Sequence, residues 1–140
     1  MAVAVALVFV WLGMVIAISF IEAPLKFRAP GVTRELGLGI GRFVFKALTA
    51  CELLLAVATG VALAMDGGSR ATWWAFAPLV AILVAQLAML HTVMDRRAAR
   101  IVAGESVPPS PHHLIYIGLE GAKVMLLIAA GTILLRSLAG

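Results

Sequence analysis

Four long apolar runs separated by short polar segments set the pattern of this chain. They cover about residues 2–21, 43–65, 73–94 and 111–135. As helices rising ~1.5 Å per residue, each is long enough for a hydrocarbon layer ~30 Å thick. Polar residues gather in two connections, 22–42 and 95–110, and in the short turn Asp66-Gly67-Gly68-Ser69-Arg70. The pattern predicts an all-α integral membrane protein, a single membrane domain over 1–140 built as a four-transmembrane-helix bundle.

The punctuation between the runs refines this picture. The first run holds no charge and starts at once, without a basic segment before it, so it is expected to be a retained helix and not a cleaved leader. Ser19 and Glu22, three apart, share a face at its end. Pro24 and Pro30 are expected to stop the helix, and Thr33 to cap a short one starting at Arg34. Gly37, Gly39 and Gly41 then predict a hinge before the second span. GLGIG superficially resembles a nucleotide-binding fingerprint, but no strand precedes it and GxGxxG is not met. The turn at 66–70 predicts a helical hairpin, with Trp73 and Trp74 at an interface belt. Helical character is expected to continue past Met94 into the basic segment, ending at Gly104 and Pro108. Ser110 followed by Pro111 is a start signal for the last helix.

The second run carries Glu52 in its middle, and a carboxyl there is costly without a partner. A shift of 71 residues lays this run on residues 116–134, with five identities in nineteen positions, and sets Glu52 opposite Lys123. The match predicts two tandem helix pairs as a parallel repeat, related by an axis along the membrane normal. Ala56, Gly60 and Ala64, at four-residue spacing, allow close helix approach and place Glu52 on the packed side. Tyr116, Glu120 and Lys123 fall on one helical stripe.

Composition excludes a soluble bundle. Hydrophobic residues make up 63%, charged ones 13%, and the mean hydropathy is +1.08, against roughly 25% charged in soluble domains. The net charge of +4 does not indicate nucleic acid, because the basic residues flank the apolar runs. Lys26, Arg28, Arg34, Arg42, Lys46, Arg96, Arg97 and Arg100 lie on one side, and only Arg70 and Arg136 on the other. That asymmetry predicts both connections in the cytoplasm and both termini outside it, in a bacterial inner membrane. The lone Cys51 rules out an intrachain disulfide.

With this orientation Glu52, Gln86, Glu120 and Lys123 fall at similar depth, and Tyr116 lies one turn from Glu120. Glu22, His91, His112 and His113 lie nearer the cytoplasmic surface. The candidate substrate- or ion-binding set is therefore Glu52, Lys123, Glu120, Gln86, Tyr116 and Glu22, with a structural ion pair as the alternative role for Glu52 and Lys123. No catalytic residue or metal ligand is assigned. His91, His112 and His113 are kept as the alternative for metal or haem, and Met89, Met94 and Met125 read as packing before copper. No cofactor is predicted.

The run WLGMVIAISFIEAPLKF resembles the first span of a bacterial family of four-helix membrane proteins of unknown function. Its marks are a tryptophan and a glycine, then Ser-Phe, then Ala-Pro with a nearby Phe. That family is distantly similar to the integral membrane domain of the copper-resistance D proteins. The basic third connection followed by HHLIYIGLEGAKV is also similar in layout. The resemblance implies a four-helix inner-membrane bundle associated with metal or small-solute handling.

Two function classes follow. One is proton-coupled handling of a small solute or metal ion at an intramembrane acidic/Lys site, by a homo-oligomer in the lipid bilayer. The alternative is a non-catalytic accessory subunit of a larger membrane complex, such as a respiratory or other oxidoreductase. The absence of a nucleophile–base set argues against an enzyme.

Overall fold

A computed structural model describes residues 1–108 and 111–139 of the chain. Among these residues there is no strand, and four helices are long and apolar enough to cross a membrane. They are α1 (Ala2–Arg28), α2 (Arg34–Met65), α3 (Arg70–Val102) and α4 (His112–Ala139). The expected start signal at Ser110 lies outside the described residues.

Each helix buries one narrow stripe. The stripes run through Ala4, Val8, Trp11 and Val15 on α1, and Leu48, Glu52, Ala56, Thr59 and Leu63 on α2, where Gly37, Gly41 and Thr49 are buried as well. On α3 the stripe is Thr72, Phe76, Leu79, Leu83, Gln86 and Leu90, and on α4 Tyr116, Glu120, Lys123, Leu127, Ala130 and Leu134. Steps of three and four, averaging about 3.6, keep one stripe of each helix turned toward its neighbours. The faces pointing away are apolar too: Leu54, Val57, Trp74 and Met125 are exposed, while Glu52, Gln86, Glu120 and Lys123 are buried. Polar inside and apolar outside is the reverse of a water-soluble bundle.

The helices form a ring. α1 packs on α2 and α4, and α3 packs on the same two, so α2 and α4 oppose each other across the centre. The end nearest residues 66–69 is a closed apolar core of Val8, Leu63, Leu79, Leu83, Leu127 and Leu134. The amino terminus pairs there with the Asp66 carboxylate. Gly67, at φ +66°, makes the turn between α2 and α3, and Ser69 caps α3 through the Thr72 amide.

The connection between α1 and α2 differs from the sequence expectation. Pro24 does not stop α1: π-helical turns over Ile16–Glu22 loosen the bonding register just before it, and the helix runs on to Arg28. Ala29 then turns extended ahead of Pro30, the conformation that a following proline favours. Thr33 caps α2 through the Leu36 amide at 3.2 Å. From there the helix is unbroken to Met65, so the expected hinge at Gly37, Gly39 and Gly41 is absent. Gly37 and Gly41 serve close approach instead. The Phe27 ring occupies the space a Gly37 side chain would need, and a Cβ on Gly41 would come within 3.2 Å of Lys26 Nζ.

α3 also contains π-helical turns, Leu90–Met94, and its basic extension Asp95–Val102 folds along the first turns of α2. Asp95 fixes it there, accepting from Arg42 Nε at 2.8 Å and lying 3.0 Å from Lys46 Nζ.

Candidate functional site

The helical stripes bring a charged cluster to the middle of the ring. Lys123 on α4 sends its ammonium between three acceptors: Glu52 Oε1 at 2.6 Å, Gln86 Oε1 at 2.7 Å and Glu120 Oε1 at 2.9 Å. An ammonium has three N–H groups, so all are used. Gln86 on α3 also donates from Nε2 to Glu120 Oε1 at 2.7 Å. Turning its amide over would set a donor against the Lys123 donors, so the network fixes its orientation.

α1 supplies two further groups. Trp11 Nε1 donates to Glu52 Oε1 at 2.8 Å, and Ser19 Oγ donates to Glu120 Oε2 at 2.9 Å. All four helices thus contribute to one polar knot. Glu52 and Glu120 are each 1% exposed and Lys123 is 0% exposed. Water cannot offset these charges, so each depends on the others and on the surrounding donors.

The cluster has two different sides. Toward residues 66–69 it is sealed by the apolar core, where Thr59 Oγ1 is the one buried side-chain polar atom without a partner among the described residues. Toward the basic end it borders a cavity of about 720 Å³. Ser19, Tyr116 and Glu120 line its floor, Phe45 and Leu90 its walls, and Lys26 and Arg42 lie nearer the mouth. The Phe45 ring stands edge-on to Tyr116 at 5.7 Å and under the Lys26 ammonium at 5.6 Å. It therefore links floor and mouth.

Of the residues singled out by sequence, Glu52, Lys123, Glu120 and Gln86 meet within hydrogen-bonding distance, and Tyr116 lines the space beside them. Glu22 does not join them. It lies 3.4 Å from Lys26 on the same helix, while Ser19 turns to Glu120. The π-helical turns over Ile16–Glu22 end the common face that three-residue spacing assigned to Ser19 and Glu22. Of the histidines, His91 is exposed and His112 lines the cavity, whereas the side chain of His113 lies outside the described residues. Among the described residues no group of three or more His, Cys, Asp or Glu could hold a metal ion.

Trp11 and Ser19 belong to the site but not to the candidate set drawn from the sequence, which marks Ser19 only for the face that its spacing shares with Glu22. A signal exists for Trp11, because a buried indole N–H needs an acceptor and Glu52 is a carboxylate in an equally apolar setting. Ser19 carries no such signal. Comparison with protein-family models, curated proteins and solved structures finds no match for this chain.

Proposed function

We propose that this chain is a small multi-pass protein of the bacterial inner membrane that couples protonation of the Glu52–Lys123–Glu120 cluster to handling of a small solute. One observation carries the reading. Two carboxylates and one ammonium are buried together, so the cluster holds one negative charge too many unless it also holds a proton. A buried excess charge is costly, and a shared proton removes it. A purely structural pair would need only one of the two glutamates.

The inverted distribution of polar and apolar faces supports the bilayer as solvent. The eight-to-two distribution of Lys and Arg supports an inward-facing cavity with both termini outside. The ring order of the helices, with π-helical turns at comparable places in α1 and α3, supports the parallel repeat. The closed apolar half leaves no passage through one copy, so the reading includes assembly as an oligomer or movement of one helix pair against the other.

Infrared difference spectroscopy of the protein in lipid nanodiscs across a pH titration tests this. The expected result is a protonated-carboxyl band that changes with pH in the parent and is lost in Glu52→Gln or Glu120→Gln. A cluster whose carboxyls do not titrate between pH extremes that leave the protein folded sinks the proton reading. Stoichiometric purification with a larger enzyme from native membranes replaces it with an accessory role.

A further inference from the structure

The cavity beneath the cluster has a chemical preference of its own. Its lining carries Lys26, Arg34, Arg42 and Arg97 against only two carboxylates, Asp95 and Glu120. Both carboxylates are already engaged: Asp95 by Arg42 and Lys46, and Glu120 by Lys123, Gln86 and Ser19. Lys26 is more enclosed than Arg42, with a side chain 10% exposed against 27%, and has one acidic contact, to Glu22 at 3.4 Å. Its ammonium stands 5.6 and 5.8 Å from the Phe45 and Phe27 ring centres. Aromatic faces hold a cation in place without neutralising it. Gly41 keeps the space beside Nζ clear. The remaining wall is apolar, with Phe20, Leu38, Met94 and Ile117.

We propose that this cavity binds a small organic anion, an oxyacid group carried on an apolar body, with the acid group on Lys26 and the body against Phe20 and Phe45. Its volume lies within the ~300–1,000 Å³ of small-molecule sites. A cationic rim over an apolar wall selects against metal cations and against strongly hydrated inorganic anions. The acid group can belong to a soluble metabolite or to a membrane lipid reaching in from the side.

The proposal rests on the proton-coupled reading in one respect: the anion would share its cavity with Glu120. Like charges repel, so a bound anion favours the protonated cluster, and by linkage a protonated cluster favours the anion. Affinity then rises as pH falls. The groups facing Lys26 and the cavity are Glu22 on α1, Arg34 and Arg42 on α2, Asp95 and Arg97 on α3, and His112, Tyr116 and Glu120 on α4. Behind Glu120 stand Lys123, Gln86 and Glu52.

Isothermal titration of 1-hexanesulfonate into the protein in nanodiscs of zwitterionic lipid tests the site, because the charge of this probe does not change with pH. Saturable binding is expected, with hexyltrimethylammonium and inorganic phosphate as non-binding controls. Losing a charge-assisted contact should weaken binding about tenfold or more in Lys26→Gln, with recovery in Lys26→Arg. Circular dichroism and size-exclusion profiles establish that both variants fold. No saturable binding, equal binding of the ammonium probe, or unchanged affinity in folded Lys26→Gln overturns the anion site. In Glu120→Gln the rise of affinity with acidification should vanish; if it survives there, the coupling to the cluster fails. Binding that ignores pH in the parent keeps the anion site and sinks the proton coupling. Mass spectrometry of the protein from native membranes separates the sources. An anionic lipid retained by the parent, displaced by hexanesulfonate and absent from Lys26→Gln assigns the site to a lipid, and a parent free of such lipid assigns it to a soluble acid.

Discussion

The Lys123 ammonium on α4 lies 2.6 Å from the Glu52 carboxylate on α2, joining the two helices that oppose each other across the ring. Because Lys123 also serves Glu120 and Gln86, the two ends of this contact are not equivalent. Lys123→Met leaves two buried carboxylates facing each other and should cost ~3–5 kcal/mol. Glu52→Gln leaves a balanced Glu120–Lys123 pair and an amide oxygen for Trp11, and should cost under ~1 kcal/mol. The exchange Glu52→Lys with Lys123→Glu should recover only part of the loss, because a lysine at 52 sets its donors against the Trp11 N–H. Thermal unfolding in detergent measures all three. Equal losses for the two single variants would reject the asymmetry.

The cluster shows how far sequence reasoning reaches. Tyr116, Glu120 and Lys123 are legible as one stripe because their spacing repeats every turn and their charges stand out among apolar neighbours. Glu52 is legible for the same reason. The contacts that complete the site join residues 41 and 101 positions apart in the chain. Trp11 looks like an ordinary member of an apolar span, and the spacing of Ser19 points to Glu22 and not to Glu120, until the ring closes. The glycines at 37, 39 and 41 mislead in the opposite direction. Glycine weakens an isolated helix, which predicts a hinge, but here the ring of Phe27 and the ammonium of Lys26 occupy the notches at Gly37 and Gly41. Local propensity cannot register a partner that arrives from beyond a proline-containing loop.

The glycine notches give the next prediction. A Cβ on Gly39 would meet only Val102 Cγ2, at 3.7 Å, an ordinary contact. Gly39→Ala should therefore stabilise α2 by up to ~1 kcal/mol through helix propensity. Gly37→Ala forces the Phe27 ring aside and should destabilise by ~1–3 kcal/mol. Adding Phe27→Leu to Gly37→Ala should recover much of that loss. A hinge at these positions would instead make both alanines harmful to activity and neither dependent on Phe27, which solubilised stability measurements would separate.

Asp95 lies just beyond the third apolar run, and the hydrogen bonds from Arg42 and then Lys46 hold its carboxyl below the usual aspartate value. A carboxylate depressed by folding adds stability that is present above its unfolded value and lost as pH falls through its folded one. The docking of Asp95–Val102 on α2 should therefore weaken on acidification below about 3.8. The difference in melting temperature between parent and Asp95→Asn should be present at neutral pH and close at low pH. The side chain is 21% exposed, so the effect should be within ~1 kcal/mol. A difference that persists undiminished in acid would show that the asparagine acts through packing.

Orientation decides which compartment the cavity serves, and two introduced cysteines can read it. The background needs Cys51→Ala, although Cys51 faces outward from an apolar stretch of α2 that a water-soluble reagent should not reach. Ala71, exposed in the first turn of α3, reports the end that carries the amino terminus and Asp66. Ser106, exposed beyond α3, reports the basic end. It is preferable to Gly104, whose φ of +83° a cysteine would strain. With an impermeant maleimide on intact cells, Ala71→Cys should label at once and Ser106→Cys only after the membrane is opened. The opposite pattern overturns the orientation argued from the eight cations at one end and the two at the other. It would also turn the Lys26 cavity to the outside, so that the proton taken up by the cluster when an anion binds would come from the external medium.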